Sequence, residues 1–162
     1  MIELHWGTIL MTGLLPMITG FIWYHPKVFG NLWMKEAGVS NEMIKSSNML
    51  KILGISLVLG VLLAVALTPI VIHQMGIFAA LQGVNDPKAS DLITEFMSNY
   101  GKNFRTFKHG ALHGFLTGIT LAMPVIGMNA LFERKSIKYI LIHVGYWTLT
   151  ATLMGGIICG FA

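Results

Sequence analysis

Charge is what this sequence has least of. Only 11% of its 162 residues are Asp, Glu, Lys or Arg, less than half of the roughly 25% usual in a soluble domain. Too few charged side chains exist to cover a water-soluble fold of this length. Disorder is excluded too, because 54% of the chain is hydrophobic and disordered chains are polar. Cysteine is nearly absent: Cys159 stands alone, so no intramolecular disulfide framework is available. No P-loop, nucleophile elbow, H-E-x-x-H or dinucleotide fingerprint appears. Nor is there a basic cluster interleaved with aromatics, so the net charge of +4 is not read as nucleic-acid binding. What is present is apolar, with a mean hydropathy of +0.68. These numbers describe an integral membrane protein.

Four stretches carry no Asp, Glu, Lys or Arg at all: 4–26, 52–85, 109–132 and 139–162. A hydrocarbon core about 30 Å thick needs roughly 20 helical residues, so each stretch crosses once. Continuous rather than alternating apolarity favours helices over barrel strands. The expectation is an all-α, up-down bundle in a single domain over 1–162, with spans at about 5–25, 51–73, 109–130 and 138–160. The second stretch is too long for one span, and Pro69 lies inside it. A helix from Lys51 that kinks at Pro69 and projects beyond the membrane through His73 to Leu81 is expected. The first span has no Lys or Arg before it and no small-x-small cleavage site after it, so it reads as retained rather than as a signal peptide.

Basic residues set the expected orientation. Lys27, Lys35, Lys45, Lys51, Arg134, Lys135 and Lys138 fall in the first and third loops, against Lys88, Lys102, Arg105 and Lys108 in the middle loop. The positive-inside rule then places the first and third loops in the cytoplasm and both termini outside. Ser40 is a candidate N-cap, with Val39 and Ile44 at staple spacing. Asp86-Pro87 opens a second loop helix over about 87–100. Its apolar positions Ala89, Leu92, Ile93, Phe96, Met97 and Tyr100 are spaced for an amphipathic helix lying on the membrane surface, the alternative being a soluble helix that docks a partner.

Small residues recur every four positions in each span. The series include Ser56, Gly60, Ala64 and Thr68 in the second, Gly110, Gly114, Gly118 and Ala122 in the third, and Thr148, Thr152, Gly156 and Gly160 in the fourth. Such stripes let helix backbones approach closely where lipid offers no competing hydrophobic gain. Close helix packing is the first reading; a pore lining or an oligomer interface is the other.

One segment carries a family resemblance. Residues 23–35 read W-Y-H-P-K-V-F-G-N-L-W-M-K; His109-Gly110 with His113-Gly114 opens the third span, and Met154-Gly155-Gly156 lies in the fourth. This pattern resembles a bacterial four-helix membrane family known as domain of unknown function 1761. The resemblance implies the four-span topology and a bacterial cytoplasmic (inner) membrane, and it brings no activity with it. Physically, Trp23, Tyr24, Pro26, Phe29 and Trp33 read as interface anchors, with Pro26 ending the helix where the backbone leaves lipid. An aromatic box around a cation or lipid headgroup is the competing reading.

Histidines are the candidates for chemistry. His5, His73, His109 and His113 all map to the predicted outer side, and Cys159 near the end of the fourth span joins them. His109 and His113 are four apart on a helix, close enough to chelate one metal. Imidazole and thiolate suit copper, zinc or haem iron. The bland reading, and the expected one, is that these histidines make hydrogen bonds or face the interface, with no cofactor. The functional expectation is a non-enzymatic membrane protein working through helix packing, as a homo-oligomer or as an accessory subunit of another membrane protein. A small transporter or channel is the alternative, and a metal- or haem-binding redox component the second alternative.

Overall fold

The structure, a computed structural model, describes residues 4–162. Every regular element among them is helical. The first span is two helices in line, α1 (Trp6–Thr12) and α2 (Leu15–Trp23). Pro16 lies in the first turn of α2 and has no N–H to carry the ladder back into α1. A π-helical turn (Pro26–Gly30) and two short helices, α3 (Asn31–Ala37) and α4 (Asn41–Lys45), fill the first loop. Ser40 caps α4, its hydroxyl accepting from Met43 N at 3.3 Å. Asn48 caps the second span, α5 (Met49–Val71), by accepting from Lys51 N at 3.0 Å.

The helix expected to kink at Pro69 and run on to Leu81 instead stops. Ile72 is extended, with φ −110° and ψ 90°, and a separate helix α6 (Met75–Leu81) follows. Two causes act together. Pro69 lacks the N–H that would bond Val65, and Gln74 is drawn toward the middle loop, its amide donating to Tyr100 O at 3.2 Å and Asn103 O at 2.7 Å. The amphipathic helix is α7 (Pro87–Tyr100), capped by Asp86, whose carboxylate accepts from Lys88 N at 2.9 Å. The third span is α8 (Phe107–Thr117), a π-helical turn (Gly118–Ala122) and α9 (Met123–Phe132); the fourth is α10 (Ile137–Phe161). Four segments, Trp6–Trp23, Met49–Val71, Phe107–Phe132 and Ile137–Phe161, are long and apolar enough to cross a membrane.

The fourth span is the axis of the bundle. It is 44% buried, against 11–28% for the other three, and it touches all of them. Glycine makes this possible. A Cβ on Gly110 or Gly114 would run into the backbone of Gly155 or Ala151, and one on Gly118 into Thr148. Gly60 lies against the Gly13 carbonyl, and Gly156 and Gly160 lie against Phe107. The small-residue stripes are thus occupied by contacts inside one chain. Outward faces carry large apolar side chains such as Phe21, Leu50 and Phe132, which suit lipid tails. Several polar groups between the spans are paired: Thr19 and Thr150 hydroxyls lie 2.8 Å apart, and Tyr146 OH donates to Pro16 O at 2.7 Å.

Up-down threading sorts the connections to two ends. At one end, Thr8 Oγ1 donates to Phe161 O at 3.2 Å, and the Arg105 guanidinium donates to Cys159 O at 3.2 Å and to Ala162 O. At the other, Lys135 Nζ donates to Ala37 O at 3.3 Å and the Ser136 hydroxyl to the Glu36 carboxylate, tying the third loop to the first.

Candidate metal centre

The break at Ile72 matters because His73 follows it. Freed from α5, His73 turns toward the start of α8, where Thr106 caps the helix by accepting from His109 N at 3.3 Å. His109 and His113 lie one turn apart on that helix, so both rings lie on one side. The result is a convergence of three imidazoles from two spans. His73 Nε2 lies 2.9 Å from His109 Nε2 and 3.1 Å from His113 Nε2. The three ring nitrogens all fall within 4.8 Å of one another. His73 is exposed and the other two are half-buried, so the cluster opens to the surroundings.

Three nitrogens at about 2.05 Å around one tetrahedral ion would lie about 3.3 Å apart. The observed spacings are within a few tenths of an ångström of that figure for two of the pairs. Haem does not fit. An axial imidazole must face the flat of a porphyrin at about its metal–nitrogen bond length, and here another imidazole nitrogen occupies that space. Phe104, at φ +61°, lays its ring 5.0 Å from the His109 ring and shields one side of the cluster.

Two residues grouped with these histidines by sequence lie elsewhere. Cys159 is 1% exposed; its thiol donates to Phe104 O at 3.2 Å, and its Cβ is pressed against Gly110. It faces the core because α10 packs so closely on α8, whereas the imidazoles meet on the outside of α8. His5 precedes α1, and its side chain makes no capping bond. It does not join the cluster.

The aromatic element is more enclosed than an interface anchor. Pro26 opens the π-helical turn, and His25 Nδ1 accepts from Lys27 N at 3.2 Å. That turn folds the chain back, so Trp23 stacks on Phe29 at 4.5 Å and Tyr24 meets Trp33 at 5.2 Å and Tyr146 at 5.1 Å. Trp23 Nε1 donates to Ile142 O at 3.1 Å, and Tyr24 OH lies 3.0 Å from His143 Nδ1. Burial pushes the Tyr24 phenol well above its ordinary range, so it stays protonated. The rings fill one another's faces, leaving no empty aromatic box. In the first loop, the Ser40 hydroxyl holds the Glu42 carboxyl below its usual range.

A family model described as a protein of unknown function (DUF1761) matches residues 8–159. The chain belongs to this family. No curated protein and no solved structure matches it. The match takes in the second and third spans whole, all but two residues each of the first and fourth, all three clustered histidines and the Trp23–Trp33 element. Sequence reasoning named His73, His109 and His113 but missed the Tyr24–His143 pair. Its only trace in the sequence is a histidine in the first turns of the fourth span.

Proposed function

We propose that the protein binds one divalent transition-metal ion, of the zinc or copper type, on His73, His109 and His113 at one end of a four-span membrane bundle. The observation that carries this reading is the approach of three imidazole nitrogens to one point, at 2.9 and 3.1 Å from His73 Nε2. Each nitrogen offers one N–H or one lone pair, and a single shared proton pairs well with only one neighbour. An ion accepts all three lone pairs at once. Binding rather than catalysis is the favoured role, since no carboxylate joins the cluster among the described residues to act as a general base. The close glycine contacts then serve as scaffold, holding the spans that carry the ligands.

Protein purified without chelator should carry about one ion per chain by elemental analysis, with a Co²⁺-substituted form showing the absorption of a four-coordinate site. Occupancy should fall as the solution is acidified, because imidazole must be neutral to ligate and protonation competes with the metal. Metal-free protein that also fails to take up Zn²⁺, Cu²⁺ or Co²⁺ would overturn the reading. The proposed orientation, with the first and third loops in the cytoplasm, puts this site on the outer side. Single cysteines at Lys45 and Lys102 test it: only position 102 should react with an impermeant reagent added to intact cells.

A further inference from the structure

The opposite end of the bundle holds a second polar site. A cavity of about 190 Å³ lies between the end of the third span and the start of the fourth, lined by Asn129, Glu133, Tyr139, His143 and Trp147. It has room for several waters, each with a share of about 30 Å³. His143 Nδ1 is satisfied by Tyr24 OH at 3.0 Å, but its Nε2 is buried with no hydrogen-bond partner. Buried polar nitrogens are nearly always paired, so an orphan lining a cavity marks the place of a missing partner atom.

The charges around the cavity say which partner. Glu133 supplies a carboxylate, and Trp147 and Tyr139 supply aromatic surface, a combination that attracts an ammonium group. Beside it, the Lys135 ammonium lies 5.5 Å from the Tyr139 ring centroid, held there by its bond to Ala37 O. A lining carboxylate on Glu133 and an ammonium on Lys135 near the lining Tyr139 ring complement a zwitterion whose own ammonium and anion lie a few bonds apart. The site is at the ends of two spans, at the level where phospholipid headgroups lie.

We propose that this cavity binds the headgroup of an ethanolamine phospholipid. Its primary ammonium pairs with Glu133, its phosphate with Lys135. His143, with Tyr24 donating to Nδ1, carries its proton on Nε2 and donates to a headgroup oxygen. This site is separate from the histidine cluster and does not depend on metal binding there.

Native mass spectrometry of the protein released from nanodiscs containing equal ethanolamine and choline phospholipids tests the proposal. The expected result is about tenfold preferential retention of the ethanolamine lipid, the size of one charge-assisted hydrogen bond, falling to within about twofold in Glu133→Gln. Glu133 is exposed, so that variant keeps the fold, which its thermal melting would verify. Equal retention of the two lipids, or an unchanged preference in Glu133→Gln, would overturn the proposal. Free phosphoethanolamine supplies the second arm. If it binds at micromolar concentration while the lipid shows no preference, the lipid is not the source and the proposal fails.

Discussion

The two ends of this bundle each hold histidines among aromatic rings, and they treat them in opposite ways. At one end His143 is half held: Tyr24 OH lies 3.0 Å from its Nδ1 and Tyr139 4.3 Å from its ring, while its Nε2 is left without a partner beside the cavity. At the other end His73, His109 and His113 have no phenol or carboxylate to bond among the described residues, and His73 turns its Nε2 on those of the other two. A histidine's neighbours, rather than its depth or its helix, decide whether it packs or ligates. One nitrogen held by a phenol fixes the ring and leaves the other nitrogen to the cavity. Three lone-pair donors facing one point, on a surface open to solutes, are the basis of the proposed ligand set.

That contrast can be broken at either end. The largest expected effect is on metal content. His109→Ala with His113→Ala should bring it from about one ion per chain to background by elemental analysis, a weakening beyond the roughly 10–100-fold typical of outer-shell changes, whereas His143→Ala should leave it unchanged. Next in size is the glycine interface that supports the cluster. Gly114→Leu would force a side chain into the Ala151 backbone and should cost about 3 kcal/mol or more, read as loss of detergent-stable protein. Gly127, with nothing within 4 Å of its Cβ position, should accept Ala with a gain of about 0.5–1 kcal/mol. Tyr24→Phe leaves His143 Nδ1 without its partner and should lower stability by about 1–3 kcal/mol without touching metal content. The smallest effect belongs to Leu116→Ile on the outward face of α8: its melting should stay within about 0.5 kcal/mol of the parent.

Much of the fold was legible because lipid leaves few choices. Charge-free runs of about the right length must be helices, and the four observed spans lie within a few residues of the expected 5–25, 51–73, 109–130 and 138–160. Ser40 and Asp86 were readable as caps because their short side chains reach backbone N–H groups wherever a helix begins. Helical spacing also put His109 and His113 on one side. What spacing does not carry is where a helix stops short. The break at Ile72 depends on Gln74 reaching Tyr100 and Asn103 in a distant loop, and that break is what delivers His73 to the cluster. Cys159 was misplaced for a similar reason. Whether a residue near a helix end faces core or surface depends on how close the neighbouring helix comes, and Gly110 brings it very close. The pairing of Tyr24 with His143 needs the π-helical turn at Pro26–Gly30, which composition does not signal.

The second π-helical turn, Gly118–Ala122, acts as a phase corrector. Gly110 and Ala130 are both buried, yet they are twenty residues apart. At 100° per residue an unbroken α-helix would rotate one about 200° from the other, onto opposite sides. Five residues wound at the wider π pitch take back roughly 90° of that drift. A four-residue stripe therefore keeps facing the fourth span for more turns than straight α-helix geometry allows, and Ala130 and Glu133 reach His143 at the far end. Deleting Thr120 and rewinding the turn as ordinary α-helix takes back about 100°, nearly the same amount, so the third span should keep both its glycine contacts at the histidine end and the cavity at the other, whereas rewinding the turn at full length would lose the cavity.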